Sequence, residues 1–405
     1  MIIEEQAEDE VQPERPPGSR AAERAPAPKA RWGRAGVESS LTFLAFISLF
    51  AGYSIWLGNR FLSVDARMLD VHQSVPVILL ALAVLVTLIS GLFDLSVASV
   101  ASLSVYLTVG LTLRDGWPFP LVLLVVMAVG AAVGVVNGLL VEKLKVNTFI
   151  ATLGSGSVVL GLSAVYSGGS VISIGEGALP AWFKAAGSFG EKPPFIIIAL
   201  GVVLLLAGVF FALRRMRPTR LGMATWVWIR LAIVAAAAAF LFTVGLGFLT
   251  SIPWTIVILL VAAVIVWILM DRTTFGRNLR AIGSNREAAR LAGVPVPREV
   301  IKAFVLGGAL SALAGVTLAA NQGSASPDAA GGFLLAAFAA AFLSTVIFSA
   351  GRFTVLGTVL GGIFVVWTAI GLIIGGMSQT WTNVINGLVL VVAVALSAVA
   401  RRRTS

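Results

Sequence analysis

Apolar residues run along this chain in blocks close to membrane-helix length, joined by short polar links. Twelve blocks stand out, at about 37–57, 73–90, 95–113, 119–141, 148–167, 194–213, 222–247, 253–270, 301–320, 333–349, 354–376 and 384–400. A helix needs about 20 such residues to cross the hydrocarbon core of a bilayer. Several blocks are short or interrupted, so the pattern predicts an all-α, polytopic transmembrane helical bundle of about 10–12 spans. One interruption is specific. The stretch SGLFDLSVASVASLS, residues 90–104, sets Gly91, Asp94 and Ser96 inside an otherwise apolar region. Gly91 weakens a helix, and Asp94 and Ser96 compete for backbone hydrogen bonds. This predicts one interrupted helix near 90–96, with Asp94 or Ser96 close to the cap of the next helix.

Composition agrees with a membrane protein. The chain is 58% hydrophobic and 12% charged, with 42 glycines and 10 tryptophans. Glycine lets membrane helices approach closely, and tryptophan favours the water–lipid interface. Cysteine is absent, which excludes thiolate metal sites, disulfides and cysteine nucleophiles. A single histidine, His72, argues against a histidine metal site. The net charge of +10 raises the question of nucleic acid, but the basic residues sit at the ends of the apolar blocks. With the N-terminus in the cytoplasm and alternating spans, only Arg60, Arg67, Arg114, Lys184 and Lys192 of the 29 Lys and Arg fall outside. That asymmetry places both termini in the cytoplasm and implies an even number of spans.

Residues 1–36 are polar, acidic at first and basic towards Lys29, Arg31 and Arg34. They predict a disordered cytoplasmic tail, not a signal peptide, because the basic end adjoins the first apolar block. Residues 37–400 form the membrane domain, with a cytoplasmic loop at 271–300, and 401–405 form a basic cytoplasmic end. No P-loop is present, so the chain does not bind ATP by that motif. No nucleophile–base pair or metal cluster points to an intramembrane enzyme.

Two stretches carry candidate transport chemistry. Asp94 is the one acid within an apolar block, and a charge at that depth must face protein or water. Asp94 either caps a helix at the inner interface or belongs to the transport path, with Ser96 beside it. Residues 146–169, VNTFIATLGSGSVVLGLSAVYSGG, are rich in small residues that permit tight helix packing. Thr152 and Ser155, with Asn137 on the preceding block, either serve that packing or offer hydrogen bonds to a polar solute.

The third stretch is GSNREAARLAGVPVPRE, residues 283–299, between two strongly apolar regions. Ser284 and Glu287 fit a capping box, and Gly293 with Pro295 forms a stop signal. The pattern predicts a helix at about Asn285–Ala292, too short to be stable alone in water. Ala288, Leu291 and Ala292 share a narrow face, while Arg286 and Arg290 lie four apart. A short capped helix that needs outside support is expected to dock into a partner protein.

These residues resemble the membrane-spanning permease subunits of ABC importers for monosaccharides of the ribose, xylose and galactose type. The resemblance covers most of residues 75–400. GLFDLSVASVASLS is similar to a G-x-x-D-L-S-V-G-S segment of that family, and NTFIATLGSGSVVLGLSAVYSGG to its P-x-F-I-A-T-L-G segment. Residues 273–320 match best. There Gly276, Arg277, Ala281, Gly283, Asn285, Glu287, Ala288, Ala289, Leu291, Gly293 and Val294 fall on the family pattern. Asn147 and Thr148 stand where prolines are usual. FLSTVIFSAGRFTVLGT replaces a Gly-Gly-rich segment, and the N-terminal tail is longer than usual.

The resemblance implies a bacterial inner-membrane permease that translocates a small polar solute, a monosaccharide, with no catalysis and no cofactor of its own. ATP and Mg would be bound by a cytoplasmic ATPase. The implied ATPase-coupling residues are Gly283, Ser284, Asn285, Glu287, Ala288, Ala289, Leu291 and Gly293, with Glu287, Ala288 and Ala289 at the centre of the contact. The other implied partners are an extracytoplasmic solute-binding protein, a second permease copy or a related permease, and lipid. Nucleic acid is not among them. An ABC permease for branched-chain amino acids or nucleosides is the alternative within the class. An ion-coupled secondary transporter is the alternative outside it, and would usually carry more ionisable residues within its spans.

Overall fold

The computed structural model describes residues 47–173, 180–193, 252–345 and 352–402. The expected tail, the expected spans at 194–213 and 222–247, and part of the block at 333–349 lie outside these residues. Among the described residues the chain is helical apart from one two-residue strand pair, β1 (Ile172–Ser173) with β2 (Ser324–Ala325), antiparallel. Seven described helices are long and apolar enough to cross a membrane, and three shorter apolar helices accompany them. Each of the ten expected blocks that falls on described residues contains one of these helices.

In chain order the helices are α1 (Ile47–Leu57), α2 (Asn59–Leu62), α3 (Val64–Ile89), α4 (Val97–Val109), α5 (Phe119–Glu142), α6 (Thr148–Ser167) and α7 (Ala181–Gly187). Then come α8 (Trp254–Trp267), α9 (Thr274–Ser284), α10 (Arg286–Leu291), α11 (Val296–Gln322), α12 (Leu334–Leu343), α13 (Val355–Ile374) and α14 (Thr382–Arg402). The cytoplasmic loop expected at 271–300 thus holds two helices, α9 and α10.

Among the described helices α3 has 94% of its apolar window buried and packs along α11, itself 72% buried, while α4, 78% buried, packs on α11 and α6. Helices α5, α6, α8 and α13 are peripheral, at 22–39%. Their outward side chains, such as Leu124, Leu153, Val165 and Leu260, are apolar and exposed. Only lipid or another protein can cover a surface of that kind in a stable particle.

The closest crossing joins α5 to α11. Gly130, Gly134 and Gly138 recur every four residues on α5 and face the backbone of α11 at Gly308, Phe304 and Ile301. A methyl group at Gly138 would lie 2.9 Å from the Ile301 Cα, and one at Gly134 would fall on the Phe304 carbonyl. Small residues at this spacing gain van der Waals contact that lipid tails cannot match.

Helix α3 starts earlier than the block at 73–90 suggested. Arg67, which the alternation of spans placed outside, is buried with Asp70 and His72 in its first turns. They pair instead of reaching solvent. Arg67 Nη1 lies 2.7 Å from Asp70 Oδ2 and the guanidinium stacks 4.3 Å from the Phe61 ring. His72 Nδ1 is 2.5 Å from Thr255 Oγ1.

Candidate functional site

The interruption at 90–96 is where the sequence put it. Helix α3 ends in a Schellman motif: Gly91 takes φ +78°, its N–H donates to Leu88 O, and Leu92 N–H donates to Thr87 O. Residues 92–96 are non-helical, and Ser96 already takes helical backbone angles where α4 begins. Ser96 is the cap position, but its side chain caps nothing. Asp94 Oδ1 instead accepts from the Ser96 N–H at 3.0 Å and the Ser96 hydroxyl at 2.6 Å.

This turn reaches two further helices. Asn137 Nδ2 on α5 donates to Ser96 Oγ at 2.8 Å. Ser155 Oγ on α6 donates to Asn137 Oδ1 at 2.5 Å. The Leu95 N–H donates to Thr152 Oγ1, also on α6, at 3.1 Å. Asp94, Ser96, Asn137, Thr152 and Ser155 therefore belong to one local cluster that ties the start of α4 to α5 and α6. Asp94, Ser96, Asn137 and Thr152 are 0–1% exposed, and Ser155 is half-buried. Ser155 lies beside exposed Gly154 and Ser157. Asn147, at a position where proline is usual in the family it resembles, caps α6 by accepting from Phe149 N–H at 2.9 Å. Apart from the Asp94 carboxylate, the cluster consists of neutral donors and acceptors in a dry setting. Such groups suit a polar, neutral solute better than an ion, and they also hold helices together.

The cytoplasmic loop differs from expectation in its capping. Ser284 is the last residue of α9, so it cannot take the extended backbone that an N-cap needs. Asn285, at φ −155° and ψ 106°, takes that place, and its side chain accepts from Ala288 N–H at 2.9 Å. Glu287 does not close a capping box. It points outward, 4.0 Å from Arg290 and 70% exposed. The C-terminal stop holds: Gly293 has φ +84°, and the N–H groups of Gly293 and Val294 donate to Arg290 O and Ala289 O. The helix is six residues long, Arg286–Leu291, not the eight expected.

The sides of α10 are also redistributed. Ala289, expected at the centre of a partner contact, is 5% exposed and packs into this chain's own core. Glu287, Ala288, Arg290, Leu291 and Ala292 face outward, and Leu291 is 82% exposed. The cause is an ion pair that sequence reasoning missed. Arg286 Nη2 meets both oxygens of Glu142, at 2.6 and 2.5 Å, and Glu142 is fully buried at the C-terminus of α5. Lys145 Nζ lies 3.7 Å from the same carboxylate. The pair turns Arg286, and with it Ala289 three residues on, towards the bundle. The sequence held one signal: an acid closing a 24-residue apolar helix just before Lys143 and Lys145.

Gly283 makes a second attachment. It packs against the backbone of Ile89 and Ser90, so a methyl group there would lie 3.1 Å from the Ile89 carbonyl carbon. The last turn of α9 thus rests on the end of α3, directly before the Asp94 turn.

Comparison with known proteins gives the family. The family described as "Branched-chain amino acid transport system / permease component" matches residues 71–230 and 226–394. The xylose transport system permease protein of Escherichia coli strain K12 is 30% identical over 338 residues, covering 80% of this chain and 83% of that protein. The L-arabinose transport system permease protein of the same strain is 30% identical over 365 residues, 87% of this chain and 88% of that one. The fructose import permease protein of Rhizobium meliloti is 28% identical over 350 residues, 86% of this chain and 82% of that one. No solved structure matches the chain. The apolar helices and these relatives make it a multi-pass inner-membrane protein. With most of its length matched, the chain belongs to the branched-chain amino acid transport system permease component family.

Proposed function

We propose that this chain is the membrane-spanning subunit of an ATP-driven importer that carries a monosaccharide inward. The observation that carries this is the breadth of similarity to permeases named for fructose, xylose and L-arabinose, each matched over most of its length and most of this chain. Two permease copies would enclose the path, an ATPase would bind ATP and Mg on the cytoplasmic side, and a solute-binding protein would deliver sugar from outside. The chain itself needs no cofactor in this scheme. Exposed Leu291 supports docking of α10 on the ATPase, because an uncovered leucine on a water-facing helix gains from burial. The neutral donors and acceptors around Ser96, Asn137 and Ser155 support a path for an uncharged polar solute.

The docking surface in this scheme is Glu287, Ala288, Arg290 and Leu291, with Asn285 and Gly293 fixing the helix ends. Gly283 and Ala289 seat the helix on its own bundle. Ser155, the half-buried member of the cluster, borders the path, and Asp94, Ser96, Asn137 and Thr152 hold its wall.

A second substrate class is favoured by the description of the matching family, which names branched-chain amino acids. Reconstitution with a partner ATPase and solute-binding protein separates the two. Uptake of labelled pentoses or hexoses, competed by other sugars and not by leucine, supports the sugar assignment. Uptake of leucine or valine alone refutes it. Uptake abolished by an ionophore in the presence of ATP would place the chain among ion-coupled transporters instead.

A further inference from the structure

The buried Glu142 carboxylate has no part in the Ser96–Asn137–Ser155 cluster, yet it sits on the same helix. Asn137 and Glu142 are five residues apart on α5, about 7.5 Å along the axis. At one end of that interval Asn137 holds Ser96 and Ser155. At the other, Glu142 holds Arg286 through both carboxylate oxygens. Just before α10, the last turn of α9 rests through Gly283 on the end of α3, which leads into the Asp94 turn. The α9–α10 segment is therefore tied to both helices that feed the polar cluster, α10 through Arg286 and α9 through Gly283. The Ala289 contact is apolar and permits sliding. The ion pair does not.

We propose that Glu142 is a positioning residue for transport: through Arg286 it makes α5 follow any displacement of α10, so that movement of the docked helix shifts Asn137 against Ser96 and Ser155. This rests on the importer assignment above. A charge-assisted hydrogen bond from one Arg286 nitrogen to both carboxylate oxygens is strong, and it can pull as well as push. A helix resting on packing alone transmits compression but separates under tension. Glu142 is enclosed on all sides, so loss of Arg286 strands a buried charge next to exposed Lys145, whose ammonium stands 3.7 Å away.

The test uses the complete importer in proteoliposomes, and reads sugar moved per ATP hydrolysed and the stimulation of hydrolysis by sugar-loaded binding protein. The variants are Arg286→Met, Glu142→Gln and the two combined. Each is expected to keep normal membrane levels and to co-purify with the ATPase. Hydrolysis continues, but sugar moved per ATP falls by about tenfold or more, as for the loss of an ordinary coupling between two sites. The double variant is expected to fall no further than the worse single one, because both substitutions cut the same link. Arg286→Lys, which keeps the charge on a shorter, non-planar group, is expected to lie between wild type and Arg286→Met. Should Glu142→Gln fail to accumulate, Arg286→Met carries the test alone, since that side chain is 43% exposed. A wild-type ratio of sugar to ATP in Arg286→Met overturns the proposal. So does loss of ATPase co-purification, which would make Arg286 part of the docking surface. A wild-type importer that moves no sugar would sink the importer assignment itself, a result distinguishable from either of these.

Discussion

Replacing Asn137 by alanine tests the polar cluster at its centre. Asn137 is fully buried and serves as both donor and acceptor, to Ser96 Oγ at 2.8 Å and from Ser155 Oγ at 2.5 Å. The loss is not two stranded groups. Ser155 already lies 3.2 Å from Thr152 O and can return its hydroxyl there, and Ser96 still donates to Asp94. What remains is about one net hydrogen bond, an acceptor on Ser96 left without its donor, and an amide-sized cavity. Together these amount to roughly 2–3 kcal/mol. Ser155→Ala, with its hydroxyl less essential, should cost about 1 kcal/mol or less, near the average for interhelical hydrogen bonds in membranes. Reversible unfolding in mixed micelles measures both, and the double variant gives their coupling. A coupling of about 0.5–1.5 kcal/mol is expected for residues in one network. Uptake should fall with Asn137→Ala even where protein levels are restored. Asn137→Ala with unchanged stability, unchanged uptake and no coupling to Ser155 would refute the clustered role.

Other substitutions separate the remaining parts of the account. Asp94→Asn keeps the acceptor that serves Ser96, whereas Asp94→Leu removes it, so uptake should survive better in the asparagine variant; equal uptake in the two at equal expression would leave the Asp94 turn without a role. Leu291→Ala strips most of an 82% exposed side chain without touching the bundle, and should weaken ATPase co-purification about tenfold or more while leaving the stability of the isolated permease unchanged. Ala289→Trp should now act differently from Leu291→Ala: Ala289 is inside, so bulk there should lower the stability of the permease alone by about 1–3 kcal/mol or more, measured in the absence of any partner. Gly134→Val should separate α5 from α11 and lower the yield of folded protein, while a substitution at Gly161, which has open space around it, should be tolerated.

Much of this fold was legible because the membrane imposes it. Blocks of about 20 apolar residues leave few alternatives to a helix. The interruption after Ile89 was legible because Gly91, Asp94 and Ser96 act locally, through a left-handed turn and short side-chain hydrogen bonds. The five polar residues near it could be named individually, but their partnership could not. Asn137 reaches Ser96 across 41 residues, and no local pattern encodes that distance. The start of α3 was misplaced for a related reason. Arg67 and Asp70 lie outside the apolar block, and their ion pair inside the helix is what the block pattern does not show. Helix α10 was visible from its Gly293 stop, yet its cap was off by one because α9 runs on through Ser284. Its orientation depended on Glu142, 144 residues away, and so was beyond any reading of the loop alone.

The central claim is that this chain moves a sugar at the expense of ATP hydrolysed by a partner. The direct measurement is uptake by proteoliposomes containing the permease, its ATPase and its solute-binding protein, with ATP inside at the ATPase face and labelled sugar outside. Accumulation of a pentose or hexose that requires hydrolysable ATP, stops when the ATPase is omitted and persists with ionophores present is the predicted result. Accumulation that proceeds without the ATPase, or that collapses with an ion gradient while ATP remains, would contradict it.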